Sequence, residues 1–277
     1  MRWAAPPLAL WVRGPALLDD ALRRAVSVVG ARSATAYGEH VASEFGYGLA
    51  EESVTVVSGA AYGIDGAAHR GALAGHGTTV AVLACGVDLS YPAAHTALLD
   101  RIAKEGAVVS EYAPGTPPAK HRFLVRNRLI AAMGLGTVVV EAGVRSGARN
   151  TAGSATALGK ILLAVPGSVA SAMSHGCHEL LRTGAATLAC SVPEILEAVG
   201  QIGELAPVAA APKRPTDGLG EQALRVHDAL SGRAGRSPEQ VAAESGVPLD
   251  RVRALLPELE LTGLAARGEE GWTRVRS

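Results

Sequence analysis

The sequence has little lysine, few aromatic side chains and few cysteines. Only four of its 26 basic residues are lysines, and aromatic residues make up 4% of the 277 positions. Arginine therefore carries most of the positive charge, and its planar guanidinium suits bidentate contacts to oxyanions, although a coding bias toward arginine would give the same ratio. The three cysteines cannot all pair and show no C-x-x-C spacing, which favours a reducing, cytoplasmic compartment over a disulfide scaffold. They are Cys85, Cys177 and Cys190.

Long apolar runs and an excess of charge of one sign are also missing. The most apolar stretch, 129–140, ends at Glu141, short of the roughly 18 residues that a membrane span needs, so no membrane partner is expected. Residues 3–12 are apolar too, but Pro6 and Pro7 interrupt them, and we interpret them as a first strand. Basic and acidic residues balance at 26 each, which taken alone argues mildly against nucleic-acid binding.

Short β-branched segments recur along the first 165 residues and alternate with helix-like segments. The strand-like segments show no polar alternation, which is typical of parallel strands buried on both faces. They are 25–29, 54–57, 78–83, 107–109, 137–140 and 161–165, and the helix-like segments are about 36–52, 64–75, 93–104, 121–133, 151–159 and 173–183. This order predicts an α/β fold with a Rossmann-like, doubly wound and mostly parallel sheet over residues 1–200.

Small residues follow most of the predicted strands. Glycine and serine let the backbone approach a ligand, and the N–H groups of the helices that follow attract phosphate. Because the carboxyl ends of parallel strands meet at one edge, these turns predict a site for a phosphate-bearing ligand, although each alone could be only a tight turn. Neither G-x-G-x-x-G nor G-x-x-x-x-G-K-[ST] occurs at them, so no nucleotide cofactor is expected. The turns contain Gly30, Ser58, Gly59, Gly86, Gly143, Ser146 and Gly167.

The neutral total conceals a basic middle segment. Residues 112–178 contain seven basic residues and a single acid, a net charge of +6, which leaves −6 for the rest of the chain. Within this segment, K-H-R-F-L-V-R-N at 120–127 places Phe123, one of only two phenylalanines, among cations. Cations that follow a phosphate backbone and an aromatic that stacks on a base are typical of single-strand binding. A solvated basic helix with Phe123 in the core is the alternative.

Several motifs resemble the DprA/Smf family, the DNA-processing proteins of natural transformation. The resemblance runs from about residue 8 to the C-terminus. It rests on V-S-V-V-G-A-R-S-A-T-A-Y-G (26–38), V-S-G-A-A-Y-G-I-D-G-A-A-H (57–69), A-V-L-A-C-G-V-D-L-S-Y-P (81–92), S-E-Y (110–112), F-L-V-R-N-R-L-I (123–130), V-V-E-A (139–142), V-P-G-S (165–168) and G-C-H-E-L-L-R-T-G-A (176–185).

The resemblance implies a function and a set of binding residues. Members bind single-stranded DNA without sequence preference, protect incoming DNA, form homodimers and load the RecA recombinase, with single-strand-binding protein as a possible further partner, and they are not enzymes. The family's strand contacts match Arg32, Lys120 and Phe123, and its R-N pair, expected to line the same pocket, matches Arg126 and Asn127. The predicted set is completed by Gly30, Ser58, Gly59, Gly143, Ser146 and Thr151.

The sequence departs from the family pattern at a few positions. Tyr62 stands where the family usually has arginine, so a phosphate contact is lost there or replaced by stacking. His178 replaces a usual asparagine, and Leu124 with Val125 replaces a common proline. We also expect the frequent N-terminal helical domain of the family to be absent.

The composition changes after Ala198. Prolines and alanines predict a linker at 201–216, and residues 217–277 then predict helices at 221–230, 237–244 and 249–261 and a hairpin at 264–275. That order is typical of a winged helix, as in many DprA-like proteins. Its ten acids and eight basic residues give a net charge of −2, which favours a protein-contacting module over duplex DNA binding.

Two other functions compete with this reading. The fold variant also resembles the nucleoside-monophosphate phosphoribohydrolases, with Glu141 as the catalytic candidate, but the P-G-G-x-G-T-x-x-E signature is degraded and the glutamate lies one residue too far along. The second alternative function is that of a winged-helix regulator with a ligand-sensing domain. His175, Cys177 and His178 do not have a usual zinc spacing, so no metal is expected, and Asp65 is expected to cap the helix at 64–74.

Overall fold

The computed structural model describes residues 6–144, 146–200, 216, 218–232, 234–268 and 270–275. These residues belong to two compact units, Met1–Val208 and Ala209–Ser277. The predicted linker at 201–216 lies outside the described residues except for Thr216.

The first unit alternates strands with helices. The elements are β1 (Trp11–Arg13), α1 (Leu18–Ala21), β2 (Ala25–Val29), α2 (Ala36–Glu51), β3 (Thr55–Ser58), α3 (Ile64–Ala74), β4 (Thr79–Leu83), α4 (Thr96–Glu105), β5 (Ala107–Ser110), α5 (Lys120–Met133), β6 (Gly136–Val139), α6 (Gly147–Ala157), β7 (Ile161–Ala164), α7 (His175–Arg182), β8 (Thr187–Leu188) and α8 (Val192–Val199).

One sheet organises this unit, with the strand order β1-β5-β4-β3-β2-β6-β7-β8. Every neighbouring pair is parallel except β1 with β5, so the predicted Rossmann-like, mostly parallel sheet is confirmed. The chain builds outward from β2 to β5 and then returns to place β6 on the other side of β2. This makes the boundary between β2 and β6 the topological switch point, where open α/β sheets bind their ligands.

The central strands are buried from end to end because helices cover both faces. One apolar cluster packs Val57, Val80 and Leu129 on one face, and another packs Phe45 and Leu49 on the other. Each such side chain contributes about 1.5–3 kcal/mol by leaving water. Small residues let the helices approach closely: a Cβ on Gly71 of α3 would lie 2.0 Å from the carbonyl oxygen of Ser43 in α2.

The N-terminal prediction was wrong in position, and two later elements were missed. Residues 6–10 are not a strand, and β1 is an exposed, antiparallel edge strand of three residues. Helix α6 begins four residues earlier than predicted because Ser146 caps it, its hydroxyl accepting from the backbone N–H of Ala148. Strand β8 and also helix α1, which was not predicted, are two and four residues long, too short for a periodic pattern, whereas α8 was missed although Ser191 caps it and Pro193 lies in its first turn.

The second unit is a winged helix, as predicted. Helices α9 (Glu221–Asp228), α10 (Pro238–Ser245) and α11 (Leu249–Leu261) precede the antiparallel strands β9 (Ala265–Gly268) and β10 (Gly271–Arg274). Its core packs Val226, Val241, Leu256 and Trp272 together. A capping box between Ser237 and Gln240 starts α10, and Gly246, in the left-handed region, ends it.

Candidate nucleic-acid interface

A groove of about 1010 Å³ opens at the carboxyl ends of β2 and β6. Its walls come from the turn after β2, the turn after β6 and the first turns of α5 and α6. The two turns are joined directly, because the backbone N–H of Ala31 donates to the carbonyl of Glu141 at 2.7 Å. The groove therefore lies at the switch point of the sheet.

Most of the residues predicted from the sequence line this groove, and two do not. Ser58 and Gly59 lie behind it: the Ser58 hydroxyl donates to the carbonyl of Val28 at 2.6 Å, and the Gly59 carbonyl accepts from Arg126 at 2.8 Å. A Cβ on Gly59 would lie 2.5 Å from the Arg126 guanidinium, so the absence of a side chain there makes room for Arg126. The predicted residues in the lining are Gly30, Arg32, Lys120, Phe123, Arg126, Asn127, Gly143, Ser146 and Thr151.

Phe123 lies in the groove and not in either apolar core. Its ring is half-buried, the Arg32 guanidinium lies 4.8 Å from its centroid, and the Tyr91 ring lies 5.4 Å away. Tyr91 also lines the groove and was not among the predicted residues; its only sequence signal is the Y-P pair after β4. The three side chains form an aromatic and cationic surface that offers faces for stacking and charge for phosphate.

The positive potential of the groove comes from two exposed side chains and two helix starts. Arg32 and Lys120 are exposed, and Lys120 is the first residue of α5. Ala119, before it, offers no side-chain cap to the first N–H groups of that helix. The first residue of α6, Gly147, also lines the groove. The helix dipole at both starts favours an anion.

Most other cations of the basic segment are engaged elsewhere. Arg128 forms an ion pair with Glu111 at 2.7 Å, and Arg149 forms one with Glu179 at 3.1 Å. The Lys160 ammonium donates to backbone carbonyls at the end of α5. The net charge of +6 therefore overstates the charge that faces the groove, and Arg32, outside the segment, supplies part of it.

Arg126 is a buried positioning residue. Its guanidinium donates to the carbonyls of Gly59 and Val82, and its Nε atom has no partner among the described residues. Burial lowers its pKa to about 10, and the nearby Asp65 opposes that shift. Asp65 is itself buried, which raises the pKa of its carboxyl group. These contacts tie α5 to the ends of β3 and β4 and so fix the turn that carries Phe123.

Asn127 joins the two helices at the groove, where Thr151 is also buried. The Asn127 amide donates to the Asn150 side chain at 3.2 Å and to the Gly147 carbonyl at 3.4 Å. Thr151 is 2% exposed. Asn127 therefore shapes the lining, and its amide is already engaged within the protein.

Glu141 lies outside the groove and has a structural role. Its carboxylate is 2% exposed and accepts from the backbone N–H of Thr35 at 2.9 Å and from the Thr35 hydroxyl at 2.6 Å. Thr35 is the N-cap of α2, so the negative charge lies at the positive end of that helix. A second cavity of about 580 Å³ adjoins it, lined by Tyr37, Gly167 and neighbouring serines.

The structure also places three other residues that the sequence singled out, Tyr62, His178 and Asp65. The Tyr62 ring is 48% exposed and lies edge-on to His95 at 5.1 Å. His178 Nε2 lies 3.0 Å from the Gly167 carbonyl. The N-cap of α3 is Gly63, so the expectation that Asp65 caps this helix was wrong; Asp65 lies in the first turn and accepts from the N–H of Ala61 at 3.4 Å.

In the described part of the chain, no cluster of three or more metal-ligating side chains occurs, and no helix is both long and apolar enough to cross a bilayer.

Comparison with known proteins identifies the class. The family model for DNA recombination-mediator protein A matches residues 1–200, and the model for the DprA winged helix domain matches residues 210–271. The two units thus match those of the DNA recombination mediators. The chain belongs to the DprA/Smf family and is a DNA-processing protein.

Its relatives span several bacterial groups. The putative DNA processing protein DprA of Mycobacterium tuberculosis is 53% identical over 98% of this chain and 69% of its own length. Protein Smf of Escherichia coli is 37% identical over 91% of this chain and 68% of its own length.

Two solved structures share the fold over about 70% of this chain. DprA of Streptococcus pneumoniae has a TM-score of 0.65 and 40% identity, covering 69% of this chain and 66% of that one. DprA of Helicobacter pylori, described for its single-stranded DNA binding mode, has a TM-score of 0.64 and 29% identity, covering 70% and 87%.

Proposed function

We propose that the protein binds single-stranded DNA in the groove between β2 and β6. The observation that carries this proposal is the Arg32 guanidinium on the ring of Phe123, beside the exposed Lys120 and Tyr91. Cations bind phosphates, and a base stacked on an aromatic ring gains about 1–3 kcal/mol. The single-stranded DNA binding of the H. pylori relative supports the same ligand here.

Binding in this groove is expected to be independent of base sequence. Sequence is read by side-chain amides and guanidinium groups that form paired hydrogen bonds with base edges. In the groove, the buried amide of Asn127 and the buried guanidinium of Arg126 donate to protein groups instead. Stacking faces, backbone N–H groups and the cations of Lys120 and Arg32 remain. Because the Arg32 guanidinium lies over the Phe123 ring, we expect it to meet phosphate and not base edges, so the groove accepts any base.

A binding titration tests the proposal. Labelled oligothymidylate and a duplex of equal length are titrated with protein over a series of salt concentrations. The single strand is expected to bind more tightly. Arg32→Ala and Lys120→Ala are each expected to weaken its binding and to reduce the slope of log K against log[salt] by about 0.7 for each lost phosphate contact.

Matched controls lie at the opposite end of the sheet. Arg23 precedes β2 and its side chain is 78% exposed, and Lys104 is exposed in the last turn of α4. Arg23→Ala and Lys104→Ala remove the same charges without touching the groove, so they are expected to bind like the wild type. Equal losses in all four variants would mean that net charge, not this groove, holds the strand.

We also propose that the protein protects incoming DNA in the cytoplasm and loads RecA onto it during natural transformation. Family membership supports this role. The acidic balance outside the basic segment leaves surface for protein partners, including single-strand-binding protein. RecA filament formation on DNA coated with single-strand-binding protein is expected to speed up when the protein is added and to stay slow with Arg32→Ala.

A homodimer is part of the same proposal. Strand β8 is an edge strand of two exposed residues, with Leu188 at 50% exposure, and Ile161 on the neighbouring β7 is 42% exposed. Exposed apolar side chains on an unpaired sheet edge favour association with another copy. Light scattering is expected to give twice the monomer mass for the wild type and the monomer mass for Leu188→Glu; an unchanged dimer would place the interface elsewhere.

We propose that the winged helix contacts protein and that the chain is not an enzyme. Helix α11 would read DNA in such a domain, but Arg253 pairs with Glu239 at 2.8 Å and Arg251 donates to Gln222. Residues 217–277 are expected to bind duplex DNA weakly. Incubation with AMP is expected to release no adenine, since Glu141, the candidate carboxylate, is engaged with Thr35; release that Glu141→Gln abolishes would contradict this.

A further inference from the structure

Four of the five tyrosines lie at the carboxyl edge of the sheet. Tyr37 follows β2, Tyr62 follows β3, Tyr91 follows β4 and Tyr112 follows β5, whereas Tyr47 lies in the last turns of α2, at the opposite edge. In a chain with 4% aromatic residues, this placement concentrates rings where the groove already lies; Tyr37, Tyr62 and Tyr91 are exposed and Tyr112 is half-buried. Tyr62, Tyr91 and Tyr112, over the strands on the β5 side of the groove, are called the tyrosine row below.

Each ring of the tyrosine row has a defined neighbour. Tyr62 is 48% exposed and its ring contacts His95, which is buried and held by the Ala60 carbonyl 3.0 Å from its Nδ1 atom. Tyr91 is 41% exposed and contacts Phe123, so it belongs to both the groove and the row. The Tyr112 ring lies 5.1 Å from the Arg122 guanidinium. The row is therefore continuous with the groove through Tyr91.

Charges around the row complement a polyanion. Arg122 lies over Tyr112, and Lys120 lies at the start of the same helix. The two carboxylates of this region are engaged: Asp88 accepts from the backbone N–H of Gly115 at 2.9 Å, and Glu111 pairs with Arg128. Accessible rings with cations beside them favour a nucleic acid strand. Of the two acids, Glu111 is neutralised by its ion pair, whereas the exposed Asp88 keeps its negative charge.

We propose that a single strand leaving the groove continues across the ends of β3, β4 and β5, with successive bases on the tyrosine row. This second nucleobase surface rests on the proposed single-stranded DNA binding and extends it from one groove to a path. Adjacent strands lie about 4.8 Å apart, so the path from β2 to β5 is about 14 Å long. Stacking accepts every base, so the path adds affinity for longer strands without adding sequence preference.

The length of the oligonucleotide separates the row from the groove. Wild type, Tyr62→Ala, Tyr112→Ala and the double variant are titrated with oligothymidylates of about three and about 20 nucleotides, lengths below and above those of common single-strand sites. The longer strand is expected to bind the double variant at least about fivefold more weakly, which is the loss of one stacked base. The shorter strand, which the groove alone holds, is expected to bind all variants within about twofold of the wild type.

Three controls distinguish stacking from other effects. Tyr47→Ala removes a tyrosine of 44% exposure from the opposite edge and is expected to bind both strands like the wild type. Tyr62→Phe keeps the ring and is expected to retain full affinity for the longer strand. Thermal unfolding of each variant shows whether a loss comes from misfolding.

Different results identify different failures. If the double variant binds the longer strand as tightly as the wild type, while Arg32→Ala and Lys120→Ala still lose affinity, the row is not on the path and the groove proposal stands. In that case a peptide, and not DNA, would be the ligand to test on the tyrosine row. If Tyr62→Phe loses as much affinity as Tyr62→Ala, stacking is wrong. If the wild type binds neither strand, the groove and the row are both wrong.

Discussion

A single methyl group added at Gly38 tests the structural role of Glu141. Gly38 lies in the first turn of α2, and a Cβ there would lie 2.3 Å from the Glu141 Oε2 atom. Glu141 is 2% exposed and bound by Thr35 through its backbone N–H and its hydroxyl, so the carboxylate cannot move into the adjoining cavity without weakening these hydrogen bonds. Gly38→Ala must therefore displace Glu141 or bend α2.

The expected loss follows from two contributions. Overpacking a buried site costs about 1–3 kcal/mol, and a weakened hydrogen bond to a buried carboxylate costs about 1.5–3 kcal/mol. Alanine recovers at most about 1 kcal/mol through its higher helix propensity. The net loss is about 1.5–5 kcal/mol, which at about 2–4 °C per kcal/mol lowers the melting temperature by about 3–20 °C.

Gly153→Ala is the matched control. Gly153 lies inside α6, and a Cβ there would meet no heavy atom within 4 Å. This variant gains the same helix propensity without the clash, so it is expected to melt at or slightly above the wild-type temperature. Differential scanning calorimetry of the full chain measures both. If Gly38→Ala is as stable as Gly153→Ala, the Glu141 carboxylate is mobile and the hydrolase alternative regains its candidate.

Three further outcomes are expected. Arg126→Met lowers the urea midpoint of the first unit because it leaves the Gly59 and Val82 carbonyls without this donor. Arg32→Ala leaves the midpoint unchanged and lowers only DNA affinity. Equal midpoints for the two variants would contradict the assignment of Arg126 to structure and Arg32 to binding. Burial lowers the pKa of His69 to about 3, so between pH 6.5 and about 3 only the unfolded chain binds a proton at this histidine. The free energy of unfolding is therefore expected to fall as the pH is lowered through this range, by about 1.4 kcal/mol per pH unit. The buried Asp65, whose pKa is raised, acts in the opposite sense, so the difference between wild type and His69→Asn in urea melts isolates the histidine; a difference that does not change with pH would contradict it. Gly71→Ala is expected to separate α2 from α3 and lower the melting temperature, since a Cβ there meets the Ser43 carbonyl at 2.0 Å; an unchanged temperature would refute that close approach.

The fold was largely predictable because its signals are local. Parallel strands buried on both faces, such as β2 and β6, are short β-branched runs that stand out in the sequence. The strands at the two edges, β1 and β8, are exposed and two or three residues long, so periodicity did not define them. Their positions follow from pairing with β5 and β7, which is a tertiary effect.

The site was predictable in outline and not in the division of labour among its residues. Arg32 and Arg126 look equivalent in sequence, but one is exposed on the Phe123 ring and the other is buried beneath the groove. Their difference depends on partners far away in the chain, such as Val82. The pairing of Arg128 with Glu111, which reduces the charge facing the groove, is equally invisible in composition.

The measurement that tests the central claim most directly is the crystal structure of the protein with a short oligothymidylate. We expect the strand to enter the groove between β2 and β6, with a base stacked on the Phe123 ring or on the Arg32 guanidinium that covers it, and phosphates within hydrogen-bond distance of Arg32 and Lys120. A strand bound to the winged helix, or to another face of the sheet with the groove empty, would contradict the account.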